Sequence, residues 1–454
     1  MRPFPRPALL LALALPAPAL AQDVAALREA ALKDEVAYRL VEGLTTEVGP
    51  RPAGSPAEAR ARDWAVKRLT ALGFKNVHIE TYQMPVWERG VETAEVVSPF
   101  PQPLRLTALG QSGATPAQGI TAPIVFFKSF ADLVAAPEGS LKGKIAFVSN
   151  AMKRTQDGSG YRNFGAARFI GPNIAAKKGA LAIVIKSIGT DQGRGPHTGT
   201  TNFEKGVAPI PAAALSVADA NNLERMVAQG PVTLHLTLTP RQIGMRESGN
   251  VIAEVPGTDQ QAGVIAIGGH LDSWDLGTGA IDDGAGIAIT AAAAKQLLDG
   301  PAPRRTIRVV WWGAEEVGGQ GGDAYFAAHG KERHALTAES DFGADRVWRV
   351  QMNLPSSAKP LGDRLAAGLA PLGIVRGNDL AGGGSDNEPL VKTGVPVVDL
   401  NQDGTRYFDY HHTPEDTLER IDPDQLRQNV AAWTVMLALA ANAPEELGPV
   451  SPKP

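Results

Sequence analysis

Four short stretches, residues 251–255, 264–267, 307–312 and 395–400, are largely apolar, with Glu254, Arg308 and Asp399 their only charged residues, where a strand with one wet face would alternate. Each has the length of a strand buried on both faces. Residues 287–298 and 425–441 are apolar over helical lengths. Upstream, Leu27, Ala31, Val36, Leu40 and Leu44 recur at loosely helical spacing within residues 24–46. The next helix is better marked: Ser55 is placed to cap it, Pro56 to open it, Glu58 to complete a capping box, and Gly73 to end it after Leu69 and Leu72. Buried strands alternating with helices predict an α/β fold, a mostly parallel mixed sheet with helices on both faces.

Between residues 116 and 245 the texture changes. Strand-like runs at 124–127, 145–148 and 182–185 are separated by Gly/Pro-rich turns, 232–238 closes the segment, and helical candidates there are short. This predicts a β-rich domain, 116–245, inserted into a discontinuous catalytic domain of residues 22–115 and 246–445, with 446–454 a flexible tail. Residues 1–21 read as a signal peptide: Arg2 and Arg6 precede an apolar run at 8–15, and Ala19-Leu20-Ala21 fits a cleavage site. Pro16 and Pro18 break the run, and no later stretch approaches the ~20 apolar residues of a membrane span. The expectation is export to a bacterial periplasm or the medium, with the mature chain not membrane-spanning.

Charge narrows the function classes. Lys+Arg 44 against Asp+Glu 48 leaves no basic field for nucleic acid. The absence of cysteine excludes disulfides, thiolate-held zinc, iron–sulfur clusters and a cysteine nucleophile, so any metal must be held by His, Asp or Glu. Of eight histidines, His78 and His235 fall in strand-like runs and His329 and His334 in a helix–loop region, which are ordinary structural places. His270 differs, because it ends an apolar strand where a parallel sheet presents ligands, and Asp272 is near enough to accept its second N–H. Asp282-Asp283 precedes the 287–298 helix and fits either an N-cap or a metal bridge. Glu315-Glu316 follows the 307–312 strand and fits either first-turn acids or a ligand beside a general base. Asp341 and His412 do not stand out singly. Together these two histidines and three carboxylates make two hard N/O sites sharing one bridging Asp, a set that suits zinc ahead of cobalt or manganese. Two ions ~3.5–4 Å apart meet the requirement of amide hydrolysis.

The order His-x-Asp, Asp-x-Gly-x-Gly, Glu-Glu, Asp, His resembles the zinc peptidase family M28, and within it the carboxypeptidase Q-like branch. Gly269-His-Leu-Asp-Ser-Trp-Asp275, Ile281-Asp-Asp-Gly, Ala314-Glu-Glu, Glu339-Ser-Asp341 and His411-His412 carry the likeness. Pro196-His-Thr-Gly199 and Ile210-Pro-Ala-Ala resemble a protease-associated (PA) domain. The resemblance implies two zinc ions per subunit, His270 and Asp341 on one, Glu316 and His412 on the other, and Asp282 bridging. It implies a metal-bridged water with Glu315 as its general base and then the acid for the leaving amine, Asp272 orienting His270, a cis peptide after Asp282, and a homodimer. Family spacing places the ligand His four residues before Asp416, which selects His412 and leaves His411 to stabilise an oxyanion. Gly382-Gly-Gly-Ser-Asp386 matches the substrate loop, making Ser385 and Asp386 substrate candidates, while Asn387-Glu-Pro departs from the pattern and lets Glu388 reshape the pocket. The reading is an exported di-zinc exopeptidase of dipeptides and short peptides, whether aminopeptidase, dipeptidase or carboxypeptidase. A single-zinc transferase of glutaminyl cyclase type and a metal-bearing peptide-binding module are the alternatives. No Gly-x-Ser-x-Gly elbow or His-Glu-x-x-His is present, and Gly319-Gln-Gly321 follows the Glu pair rather than a strand.

Overall fold

In a computed structural model, residues 23–450 are described; the expected signal peptide lies outside them. Two eight-stranded sheets organise the chain. The first runs Lys75–Glu88, Arg241–Val255, Ile307–Trp312, Val264–His270, His334–Glu339, Val397–Gln402, Val347–Asn353, Val375–Arg376. Its four middle members, from Ile307–Trp312 to Val397–Gln402, are parallel, and their outer neighbours Arg241–Val255 and Val347–Asn353 are antiparallel to them.

The largely apolar runs are explained by burial on both faces. Ile265, Ile267, Val309 and Trp311 face a large core shared with the helices Ala285–Leu298 and Pro423–Ala441. Their neighbours Ala266, Val310 and Trp312 face the opposite side, against Tyr325 of the helix Gln320–His329 and Leu390 of Glu388–Lys392. Residues 24–46 form two helices, Val24–Ala31 and Val36–Glu47, with Asp23 capping the first. The helix Pro56–Ala71 is capped by Ser55, and Gly73 turns out of it at φ +93°. Glu58 is not the reciprocal cap that its spacing predicts. It is buried and pairs with Arg62 at 2.9 Å, because it faces the sheet one turn along.

The second sheet runs Gln102–Leu104, Glu92–Ser98, Thr233–Leu238, Ile120–Phe127, Ile145–Val148, Ala182–Lys186, Ala212–Leu215, Leu106–Ala108. It reaches upstream of the boundary expected at residue 116: Glu92–Ser98 alternates buried and exposed positions and pairs antiparallel with Thr233–Leu238. No continuous apolar run advertises those early strands. The lobe built on this sheet hangs between two long paired strands of the first, since the chain leaves after Lys75–Glu88 and returns in Arg241–Val255. The end of the chain is docked rather than loose through residue 450. Leu447 is buried, Glu445 and Glu446 pair with Arg364 and Arg333, and the Val450 N–H donates to the Gly394 carbonyl. Among the described residues no helix is long and apolar enough to cross a membrane.

Candidate metal centre

The site lies where the parallel strands end. The strand Val264–His270 delivers His270, the chain beyond Ile307–Trp312 delivers Glu315 and Glu316, and Asp341 follows His334–Glu339. Asp282 sits in the turn Ala280–Gly284 ahead of the helix Ala285–Leu298, and the Asp282–Asp283 peptide is cis. His411 and His412 follow the short helix Tyr407–Tyr410. Ala314, just before Glu315, and His412 adopt left-handed backbone, φ +61° and +62°.

Asp282 stands at the centre. Its Oδ1 lies 3.1 Å from His270 Nε2, which is 3.6 Å from Asp341 Oδ1. Its Oδ2 lies 3.2 Å from His412 Nε2, which is 2.9 Å from Glu316 Oε2. Each oxygen of one carboxylate thus faces its own His–acid pair. Donors ~2.0–2.2 Å from a tetrahedral ion lie roughly 3.3–3.5 Å from one another, so these separations fit ligands around a metal. Asp282 Oδ2 and Glu316 Oε1 are buried without a hydrogen-bond partner, as ligand oxygens would be. The acids also demand positive charge. Burial opposes the imidazolium of both histidines, yet neighbouring acids hold His270 well above its usual pKa and His412 up at about 9. Divalent cations meet that demand with the same donors, and the all-N/O set suits zinc.

The two acid pairs divide their work. Asp283 turns away from the ligands: Oδ2 accepts from His270 N–H and Oδ1 from Gly286 N–H, each at 3.0 Å, so the cap reading belongs to Asp283 and the ligand geometry to Asp282. Gly286 must be glycine, because a Cβ there would meet the Ser340 carbonyl oxygen at 1.8 Å. Glu315 is pushed up to about 8 by burial and then by the charges of Asp341 and Glu316, with the Ser385 hydroxyl as a hydrogen-bond partner. Asp272 does not hold His270 by its carboxylate alone: His270 Nδ1–H donates to the Asp272 carbonyl at 2.9 Å, and the carboxylate, 3.6 Å away, accepts from Glu315 N–H at 3.1 Å.

The comparisons with known proteins fit this geometry. The family model described as Peptidase family M28 matches residues 250–437. Carboxypeptidase Q of Bos taurus is 34% identical over 417 residues, covering 90% of this chain and 86% of that protein. The chain belongs to peptidase family M28. The crystal structure of a Peptidase M28 precursor from Shewanella amazonensis superposes on this peptidase with a TM-score of 0.93 at 47% identity, covering 95% of this chain and 98% of that one. A zinc aminopeptidase from Bacillus subtilis shares the fold, with a TM-score of 0.64 at 21% identity over 92% of this chain and 98% of its own. The chain is thus a peptidase, and its clustered histidines and carboxylates suit zinc.

A cleft of about 1060 Å³ opens onto Asp282, Glu315, Glu316, Asp341 and His412 of the peptidase. Ser385 and Glu388 line it, and Glu388 pairs with Lys392 at 2.8 Å. Asp386 does not: it is buried under the glycine loop, its N–H donating to Glu339 at 3.1 Å, because Asn387 draws the loop inward by accepting from Gly384 N–H at 3.0 Å. His411 stacks on His412 at 3.5 Å, 3.6 Å from Asp282 Oδ2, and burial holds it well below its usual pKa. Several contributors were not among the site residues expected from the sequence. Arg51 is buried and binds the carbonyls of Leu271, Thr278 and Gly279, shaping the turn before Asp282; only its place between Pro50 and Pro52 hints at this. Asp416 accepts from the Ala280 and Ile281 N–H groups at 2.8 and 2.7 Å. Tyr161 and Arg168 enter from the second lobe, where Tyr161 packs edge-on to His411 and donor groups of Arg168 reach Thr198 and Tyr161.

Proposed function

We propose that this protein is an exported di-zinc exopeptidase that hydrolyses dipeptides and short peptides at unblocked ends, working as a homodimer, with the second lobe a PA-like domain. The division of the two Asp282 oxygens between His270–Asp341 and His412–Glu316 is the observation that carries it. It supports one ion on each side of a shared carboxylate. Bound there, the ions would polarise the scissile carbonyl and acidify water.

The remaining chemistry belongs to the chain's own side chains. Glu315, half-buried beside the two His–acid pairs and facing the cleft, takes the proton of the attacking water and returns it to the leaving amine. Asp272 fixes the Glu315 backbone through its N–H, and Ser385 steadies the carboxylate. Neutral His411, facing the cleft, offers a donor to the developing oxyanion. Glu339 and Asp341 line the same cleft and favour a cationic amine. Arg168 favours the other terminus. It is 2% exposed, its Nε has no hydrogen-bond partner, and no carboxylate among the described residues pairs with it. A buried guanidinium without an anion is costly, and the carboxylate of a short peptide supplies one.

The test combines zinc content per chain with turnover on dipeptides carrying free, acetylated or amidated ends. Two ions, hydrolysis of free dipeptides and its loss in Glu315→Ala are expected. About one ion per chain would favour the cyclising transferase, and equal negligible turnover in both proteins would favour a binding module.

A further inference from the structure

We propose that the loop of residues 196–199 in the second lobe is a working part of the metal centre, with His197 the positioning residue for the ligand His412, so that ion binding and docking of the lobe are coupled. This rests on the zinc reading above and concerns residues outside the ligand set.

The contacts form a clamp on one turn of backbone. His197 donates through Nδ1 to the His411 carbonyl at 2.8 Å, and its Nε2 lies 2.8 Å from Asp191 Oδ1. Thr198 N–H donates to the His412 carbonyl at 3.0 Å, and the His412 ring donates back from Nδ1 to the Thr198 carbonyl at 3.2 Å. That last bond, with Arg168 Nη1 of the same lobe 3.3 Å from the same Nδ1, holds the ring so that Nε2 is left facing Glu316 and Asp282. The clamp also grips the residue whose left-handed backbone, φ +62°, needs an external hold.

The loop is itself rigidly seated in the second lobe. Its His197 N–H donates to Ser187 Oγ at 2.8 Å, and Thr198 Oγ1 donates to the Ala108 carbonyl at 3.0 Å. Gly189 lets the imidazole lie against the backbone, since a Cβ there would meet the ring at 2.3 Å. Gly199, at φ +133°, makes the same room for Arg168. One ligand of the metal centre is therefore oriented by a lobe that supplies no member of the expected ligand set. Anything that loosens the lobe frees the His412 ring, and an ion that pulls Nε2 into line tightens the lobe, because linkage acts in both directions.

Zinc-stripped protein titrated with zinc against a chromogenic chelator tests this. In the wild type two dissociation constants are expected. In His197→Ala one should weaken about 10–100-fold while the other holds. His197→Asn, whose amide still donates to the His411 carbonyl, should recover most of that loss, which a merely structural defect would not allow. Hydrogen exchange of the wild type with and without zinc needs no variant and should show faster exchange across residues 190–200 when zinc is removed. Unchanged zinc affinities in folded His197→Ala, or equal exchange in that segment with and without zinc, would overturn the proposal. Failure of the wild type to hold two ions would instead count against the di-zinc reading, and the coupling would then be judged on whether the single ion's affinity drops in His197→Ala.

Discussion

The first sheet reaches the candidate metal centre through side chains at the ends of parallel strands, whereas the second lobe reaches it through the Thr198 backbone and the side chains of His197, Tyr161 and Arg168. His270, Glu316 and Asp341 are set by strands buried on both faces, so their positions are as fixed as the core beneath them. The second lobe instead hangs on Lys75–Glu88 and Arg241–Val255 and meets the site through Thr198, His197 and Arg89, which forks onto Asp275 at 2.7 and 2.9 Å. Rigid strand ends specify chemistry, and a tethered lobe adjusts it. A site so divided has one half that tolerates little and another that can be tuned.

The contrast is broken most severely at Asp282. Asp282→Ala should abolish turnover and lower the zinc bound on both sides, read by metal analysis, while Asp283→Ala should keep the ions and lose about 1–3 kcal/mol of stability through the orphaned His270 and Gly286 N–H groups. Next in size, Glu315→Gln should lower kcat about 10²–10⁴-fold with zinc content intact, as expected of a base rather than a ligand. Gly286→Ala should cost about 1–3 kcal/mol in denaturant unfolding, since the helix must back away from Ser340. Arg89→Ala should cost about the same and separate the unfolding of the lobe from that of the core in calorimetry, sharpening the distinction between them. The smallest effect concerns pH. Burial raises Glu58 to about 7 from 4.5, so between those values the folded chain holds a proton that the unfolded chain has released. Stability contributed by this group therefore falls as pH rises from about 4.5 to 7, and Glu58→Gln should flatten that slope in thermal midpoints.

The same contrast explains what was legible beforehand. Largely apolar strands and the candidate ligands at their ends share one physical cause, a sheet covered on both faces, and both could be read from residues such as 307–316. The split of Asp282 from Asp283 could not, because an N-cap and a ligand look alike in sequence until the fold turns them apart. Strand Glu92–Ser98 was hidden by its alternation and shortness, and Glu58 was misread because a capping position and a buried ion pair use the same residue. The clamp at Thr198 is made by carbonyl and amide groups common to every residue, so no side-chain pattern announces it.

The turn at His411–His412 lies late in the chain and needs residues 197 and 198 to hold it. A ribosome must therefore finish both sheets, and nearly the whole polypeptide, before the last ligand can be seated. A chain that stops just short of residue 411 carries His270, Asp282, Glu316 and Asp341 but lacks the second histidine, so on the proposed reading hydrolysis waits for that late turn.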